Sequence, residues 1–180
     1  MIMKYFLDAE FHEDGKTIEL ISIAIVCEDG RELYMENTDY DWSKSTEWLL
    51  ENVKPNLWGK RGYDSEITRT ANQFNRDGGI GGIATLMEIA RTIARFVDPE
   101  TYGKPEFWGY YAAYDWVLLC QLFGKMIDLP KGWPMYINDI KSFQEVLKPE
   151  LTFVKPHEDN HHALNDARNI ASFHVQVFDI

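Results

Sequence analysis

At 180 residues, 45% of them apolar and 26% charged, the chain has the size and composition of one globular domain with a core of its own. Its 18 basic and 29 acidic side chains leave a net charge of −11, which excludes a broad electrostatic footprint on duplex nucleic acid but not a grip on a few nucleotides. No run approaches the ~20 apolar residues that span a bilayer, the start leaves no room for a signal peptide, and Cys27 and Cys120 read as buried free thiols, so a cytoplasmic protein with no membrane partner is expected.

Residues 3–11 read as a strand. Side chains at i and i+2 of a strand share a face, so Asp8 and Glu10 project together from an apolar run. Thr17 to Cys27 forms a second strand, apolar enough to be central, and Glu28-Asp29-Gly30-Arg31 turns into a third over Glu32–Asn37. Ser43 to Val53 reads as a short helix capped by Ser43 and ended before Pro55. Residues 64–75 have a helical reading, and Asp77-Gly78-Gly79-Ile80-Gly81-Gly82 reads as a flexible break. Ile83, Leu86, Met87, Ala90, Ile93, Ala94 and Val97 keep the spacing of a helix packed by one face on a sheet.

Glu106 to Tyr111 follows as a buried strand, with a helix from Asp115 to Phe123. Met135–Ile137 is the expected last strand, and Asn138 the cap of a helix to Leu147. Residues 149–160 read as a loop, and His162 to Phe178 closes the chain as a helix. This order predicts an α/β fold, a mixed sheet with helices on both faces, in a single domain over 1–180.

Two carboxylates on one partly buried face repel each other and lose hydration, and a bound cation relieves both costs. Asp8 and Glu10 make such a pair, although a solvated edge strand would account for them equally. Asp115 stands where strand gives way to helix, placed to reach a site above the sheet or simply to face the helix dipole. Asp166 lies in His161-His162-Ala163-Leu164-Asn165-Asp166. His162 is four residues before it and could share its helix face as a metal ligand, which would favour zinc. His161 falls at the helix entry, where an unligated histidine is suited to general-base work beside an all-carboxylate site for magnesium or manganese. His12, His157 and His174 have no such context and read as incidental.

Asp-x-Glu on the first strand, an aspartate at a mid-chain strand-to-helix junction and His-x-x-x-x-Asp near the end together resemble the DEDDh 3′–5′ exonucleases. The blocks Phe6-Leu7-Asp8-Ala9-Glu10-Phe11, Thr17-Ile18-Glu19-Leu20-Ile21-Ser22-Ile23, Ala113-Tyr114-Asp115, Cys120-Gln121-Leu122-Phe123-Gly124 and Ala163-Leu164-Asn165-Asp166-Ala167-Arg168 are similar to the ribonuclease AS family within it. The resemblance spans both ends of the chain and leaves 58–82 as an insertion. It implies a ribonuclease H-like fold and hydrolysis of single-stranded RNA from the 3′ end to nucleoside 5′-monophosphates, with adenylate preferred. It further implies two Mg2+ or Mn2+ ions held by Asp8, Glu10, Asp115 and Asp166, and a homodimer. The family's spacing selects His161 as the general base. Phe11 and His12 become candidates to stack on or flank the terminal base, and Glu19, Leu20 and Ile21 fall in the block that forms the family's nucleotide pocket, with a core role for Leu20 and Ile21 equally open. Trp116 has both a helix-packing and a groove-lining reading. Three rival readings are a nuclease of the same type acting on DNA or short oligonucleotides, a non-catalytic nucleotide-binding module, and a cation-stabilised structural domain, which would give a general-base histidine no purpose. The second is disfavoured because none of the four acids or the histidine is missing.

Overall fold

Alternation along the first strand decides the architecture. β1 (Ile2–Glu13) sends Tyr5, Leu7 and Ala9 into one apolar cluster, and Phe6 into another on the opposite side, the side that Asp8 and Glu10 also face. In a computed structural model that describes residues 1–59, 71, 73–153 and 161–178, β1 is a central strand of a mixed sheet. Its partners are β2 (Ile18–Cys27), β3 (Glu32–Asn37), β4 (Ile80–Ala84), β5 (Lys104–Gly109) and β6 (Asn138–Asp139), in the six-stranded order β4-β3-β2-β1-β5-β6. The β1–β2 and β2–β3 pairs are antiparallel, and the other three are parallel.

Helices cover both faces. On the Leu7 side lie α2 (Leu86–Phe96), through Ile89, Ile93 and Phe96, and α4 (Ala113–Gln121), through Trp116, Leu118 and Leu119. A capping box starts α2: the Thr85 hydroxyl accepts from the Glu88 N–H, and the Glu88 carboxylate accepts from the Thr85 N–H. On the Phe6 side lies α6 (Ala163–Phe178), whose Leu164, Ala167, Ile170 and Phe173 meet Phe6, Ala24, Val26 and Trp108. A bidentate pair between Arg168 and Glu32, at 2.8 and 2.6 Å, ties α6 to β3. Shorter α-helices include α1 (Glu47–Asn52), α3 (Pro99–Tyr102) and α5 (Ile140–Leu147). This is the mixed α/β arrangement of ribonuclease H-like folds.

The register slips between Glu10 and Phe11, where β2 carries one extra residue, Ile21. Such a bulge re-aims a side chain. Ile21 leaves the sheet's main clusters and joins Tyr40, Leu49, Val53 and Leu57, which brings residues 40–57 against the end of β1.

Four expectations change. The glycine run is not simply a break, because Ile80–Ala84 pairs with β3 as a parallel edge strand. A Cβ on Gly81 would lie 2.7 Å from the Phe74 ring and 2.8 Å from the Trp58 ring, so glycine is what lets those aromatics cover the strand. The last strand is Asn138–Asp139 and not Met135–Ile137; Met135 and Tyr136 are exposed, and Asp139 is the cap of α5. Asp41 caps a 3-10 turn at Trp42–Lys44 and Thr46 caps α1, in place of one helix capped by Ser43. His174 is 3% exposed among Phe6, Trp108 and Phe178, far from incidental. Most of the expected 64–75 helix, residues 64–70 and 72, lies outside the described residues, as do much of the 149–160 loop and His157.

Candidate active site

β1 and α6 build the heart of the site. Asp8 and Glu10 stand on the α6 side of β1, and the first turn of α6 lowers Asp166 onto them. That turn is closed by the Asp166 N–H donating to the His162 carbonyl at 3.1 Å. One carboxylate oxygen from each of Asp8, Glu10 and Asp166 lies within 4.8 Å of the others. Glu10 and Asp166 are buried, at 8% and 4% exposure. Three acids held this close, away from bulk water, repel unless protons or cations intervene. Hard oxygen donors without sulfur suit magnesium, manganese or calcium, so the residues present fit a divalent ion.

Asp115 arrives from the other side of the sheet. β5 ends at Gly109, where an added Cβ would lie 2.5 Å from that of Ala112 and 3.4 Å from the carbonyl oxygen of Leu7, so the chain can turn tightly there only without a side chain. Tyr111 takes a left-handed conformation, φ 57°, to enter α4. The result puts Asp115 in the first turn, its Oδ1 accepting from the Ala9 N–H at 2.9 Å, between the two acids of β1. Burial pushes its carboxyl up to about 7; the Ala9 N–H opposes this, and the nearby charges of Asp139 and Asp166 add to it. Asp139 was missed from sequence. It is held by the Lys141 and Tyr111 N–H groups at 2.9 and 3.2 Å, and no local pattern in the sequence links it to Asp115.

The two histidines separate cleanly. His161 is half-buried in a left-handed conformation, φ 63°, its ring in a T-shaped pair with Trp48 of α1, centroids 4.7 Å apart. His161 and Tyr111 are the only non-glycine residues with positive φ among those described, and both stand at helix entries that deliver an acid to the site. His162 is buried and stacked on Tyr34, ring centroids 4.6 Å apart and 21° from parallel. Trp48, half-exposed, was also missed, since its approach to His161 joins residues 113 positions apart.

The remaining sequence candidates make contacts of their own. Phe11 is half-buried, edge-on to Tyr114 at 5.6 Å. Glu19 forms an exposed ion pair with Lys44 at 3.1 Å. Ile21 is 1% exposed in the cluster under α1. Trp116 is 7% exposed and packs against Phe107 at 5.3 Å in the cluster on the opposite face from Asp8 and Glu10.

Fold and site together define a mixed α/β domain carrying a carboxylate cluster suited to divalent metal. The family model described as the 3′–5′ exoribonuclease Rv2179c-like domain matches residues 3–178. The chain is 35% identical over 167 residues to the 3′–5′ exoribonuclease Rv2179c of Mycobacterium tuberculosis (strain ATCC 25618 / H37Rv), covering 93% of this chain and 88% of that protein. The match to the 3′–5′ exoribonuclease MT2234.1 of strain CDC 1551 / Oshkosh has the same identity and coverage. The chain belongs to the Rv2179c-like 3′–5′ exoribonuclease family.

Proposed function

We propose that this protein shortens single-stranded RNA from its 3′ end by a DEDDh-type reaction, releasing nucleoside 5′-monophosphates with Mg2+ or Mn2+ as cofactor. The observation that carries the reading is the convergence of Asp8, Glu10 and Asp166 within 4.8 Å in a member of an exoribonuclease family. In this reading Asp8, Glu10 and Asp166 would hold one ion, and Asp8 with Asp115 would serve a second. Bound cations supply charge stabilisation for the attacking and leaving oxygens of an in-line displacement. His161, half-buried at the helix entry, takes the proton from the attacking water, and the Trp48 ring limits how far it can swing. Burial favours the neutral form of Asp115, and a cation bound beside it would favour the carboxylate.

Adenylate preference follows from similarity to ribonuclease AS in the Glu19 block, with Phe11 offering a stacking face. An acceptor that meets the adenine amino group is left unsatisfied by uracil, a penalty of about 1–3 kcal/mol or roughly tenfold to a hundredfold. Glu19 would have to exchange Lys44 for the base, and an exposed pair of that kind costs only about 0–1 kcal/mol to open. The same likeness supports a homodimer and an insertion over 58–82, while length and the two free cysteines support a single cytoplasmic domain. Digestion of labelled RNA and DNA homopolymers with Mg2+, Mn2+ or chelator tests the whole reading. Oligo-A should decay faster than oligo-U, and DNA more slowly than RNA. Equal rates on A and U tracts at subsaturating substrate would leave a general exoribonuclease, and equal rates on DNA would remove the sugar preference.

A further inference from the structure

We infer that Tyr34 and Glu36 are positioning residues: on β3 they form a seat for His162 that sets the first turn of α6 and, through it, the approach of Asp166 to Asp8 and Glu10. The inference rests on the metal-dependent reading above and adds to it residues that no recognisable motif includes.

The register makes the seat visible. Ser22 pairs with Glu10 on one side and Glu36 on the other, while Ala24 pairs with Asp8 and Tyr34. Tyr34 and Glu36 therefore share the face of the two β1 acids, two strands away, about 10 Å at the usual strand spacing. The rows between carry Ser22 and Ala24, the smallest side chains of β2, which leave a trough above them. The fully buried Tyr34 ring fills that trough and lies nearly flat against His162, 4.6 Å between centroids.

The ring is held from behind. The Tyr34 hydroxyl donates to Glu36 at 2.8 Å, and Glu36 also accepts from the backbone N–H groups of Trp58 and Gly59 at 2.5 and 2.8 Å. Trp58 stands edge-on to Tyr34 at 4.6 Å. Three donors converging on one buried carboxylate fix it more firmly than any single bond, and so fix the tyrosine that points at it. The stacked His162 ring is thereby restrained in height and rotation, and its carbonyl closes the turn that carries Asp166. Repulsion among Asp8, Glu10 and Asp166 pushes that turn away from β1. The seat holds it down before any cation binds.

The test is calorimetric titration of Mn2+ alongside steady-state RNA hydrolysis, with urea midpoints to verify that each variant is folded. His162→Ala should lower Mn2+ affinity by about 10–100-fold and depress kcat with KM nearly unchanged. His162→Phe, which restores a flat ring on Tyr34, should recover most of both losses. Tyr34→Phe keeps the ring but cuts its tie to Glu36, and should lower affinity by about tenfold. His162→Phe as deficient as His162→Ala would overturn the inference, since an imidazole nitrogen would then be the needed group. So would parent-like affinity and kcat in both His162→Ala and Tyr34→Phe. A parent protein that neither binds Mn2+ nor hydrolyses RNA overturns the metal reading, and this inference with it.

Discussion

The same strands build two unlike faces. Under α2 and α4 the sheet presents Tyr5, Leu7, Ala9, Ile23, Ile25 and Phe107, a nearly unbroken apolar layer. Under α6 the same strands alternate to Phe6, Asp8, Glu10, Ser22, Tyr34 and Glu36, so buried polar and charged groups lie among the apolar ones. Burial of apolar surface is the dominant favourable term in folding, whereas buried carboxylates are costly unless paired. The first face carries the stability, and the second gathers the carboxylate cluster, the proposed seat of the chemistry, at the end where α6 begins. Asp115 is the one acid supplied from the apolar side, and it reaches the site only because α4 starts at the very edge of the sheet.

That division can be broken one face at a time. The largest effect is expected for Asp8→Asn, which should take RNA hydrolysis below detection while leaving the metal-free fold as stable as the parent or more so, because one of three crowded charges is gone. Retained turnover with normal Mg2+ dependence would remove Asp8 from the site. His161→Ala should lower kcat by roughly 10²–10⁴, the usual span for a general base, with Mn2+ affinity nearly unchanged. If affinity falls instead, His161 is a ligand and the proton must leave by another route.

On the apolar face, Ile93→Ala should cost about 2–5 kcal/mol of stability, as large-to-small changes in packed cores do, while kcat of the folded fraction stays within about twofold of the parent. A large drop in kcat at full folding would mean that the two faces are not separable.

The smallest effect sharpens the boundary between them. Burial among aromatic rings holds the His174 imidazole below its usual value, with Lys4 adding to the shift. The unfolded chain then takes up a proton first as pH falls. The contribution of His174 is thus fully present above about pH 6.5 and is lost as pH falls toward the lower folded value. His174→Phe should flatten the fall of the urea midpoint below about pH 6.5 relative to the parent. An unchanged slope would assign acid sensitivity to other groups.

What could be read from the sequence follows the same division. Period-two alternation placed Asp8 and Glu10 on one face of a strand, and β3 falls at Glu32–Asn37 as the pattern predicts, because local spacing alone sets which side a strand residue faces. Motif spacing pointed to Asp115, His161 and Asp166, all of which the fold brings to one end of the sheet. Features made by contacts distant in sequence were not legible. Glu36 looked like an ordinary strand residue because its partners, Trp58 and Gly59, lie beyond a helix. β4 looked like a break because Gly81 is explained only by the rings of Trp58 and Phe74 that lie against it. Trp48 and Asp139 share this fault, each acquiring its neighbour through the fold. His174 was misjudged because a histidine outside any motif says nothing about its burial.

The claim that the carboxylate cluster is the centre of a metal-dependent 3′–5′ exoribonuclease is tested most directly by following a short 5′-labelled oligoadenylate through a time course in Mg2+. The account predicts a ladder that shortens one nucleotide at a time with release of adenosine 5′-monophosphate, stopped by chelator and absent with Asp8→Asn. Internal fragments, labelled mononucleotide released from the 5′ end, or a ladder that persists in chelator would contradict it.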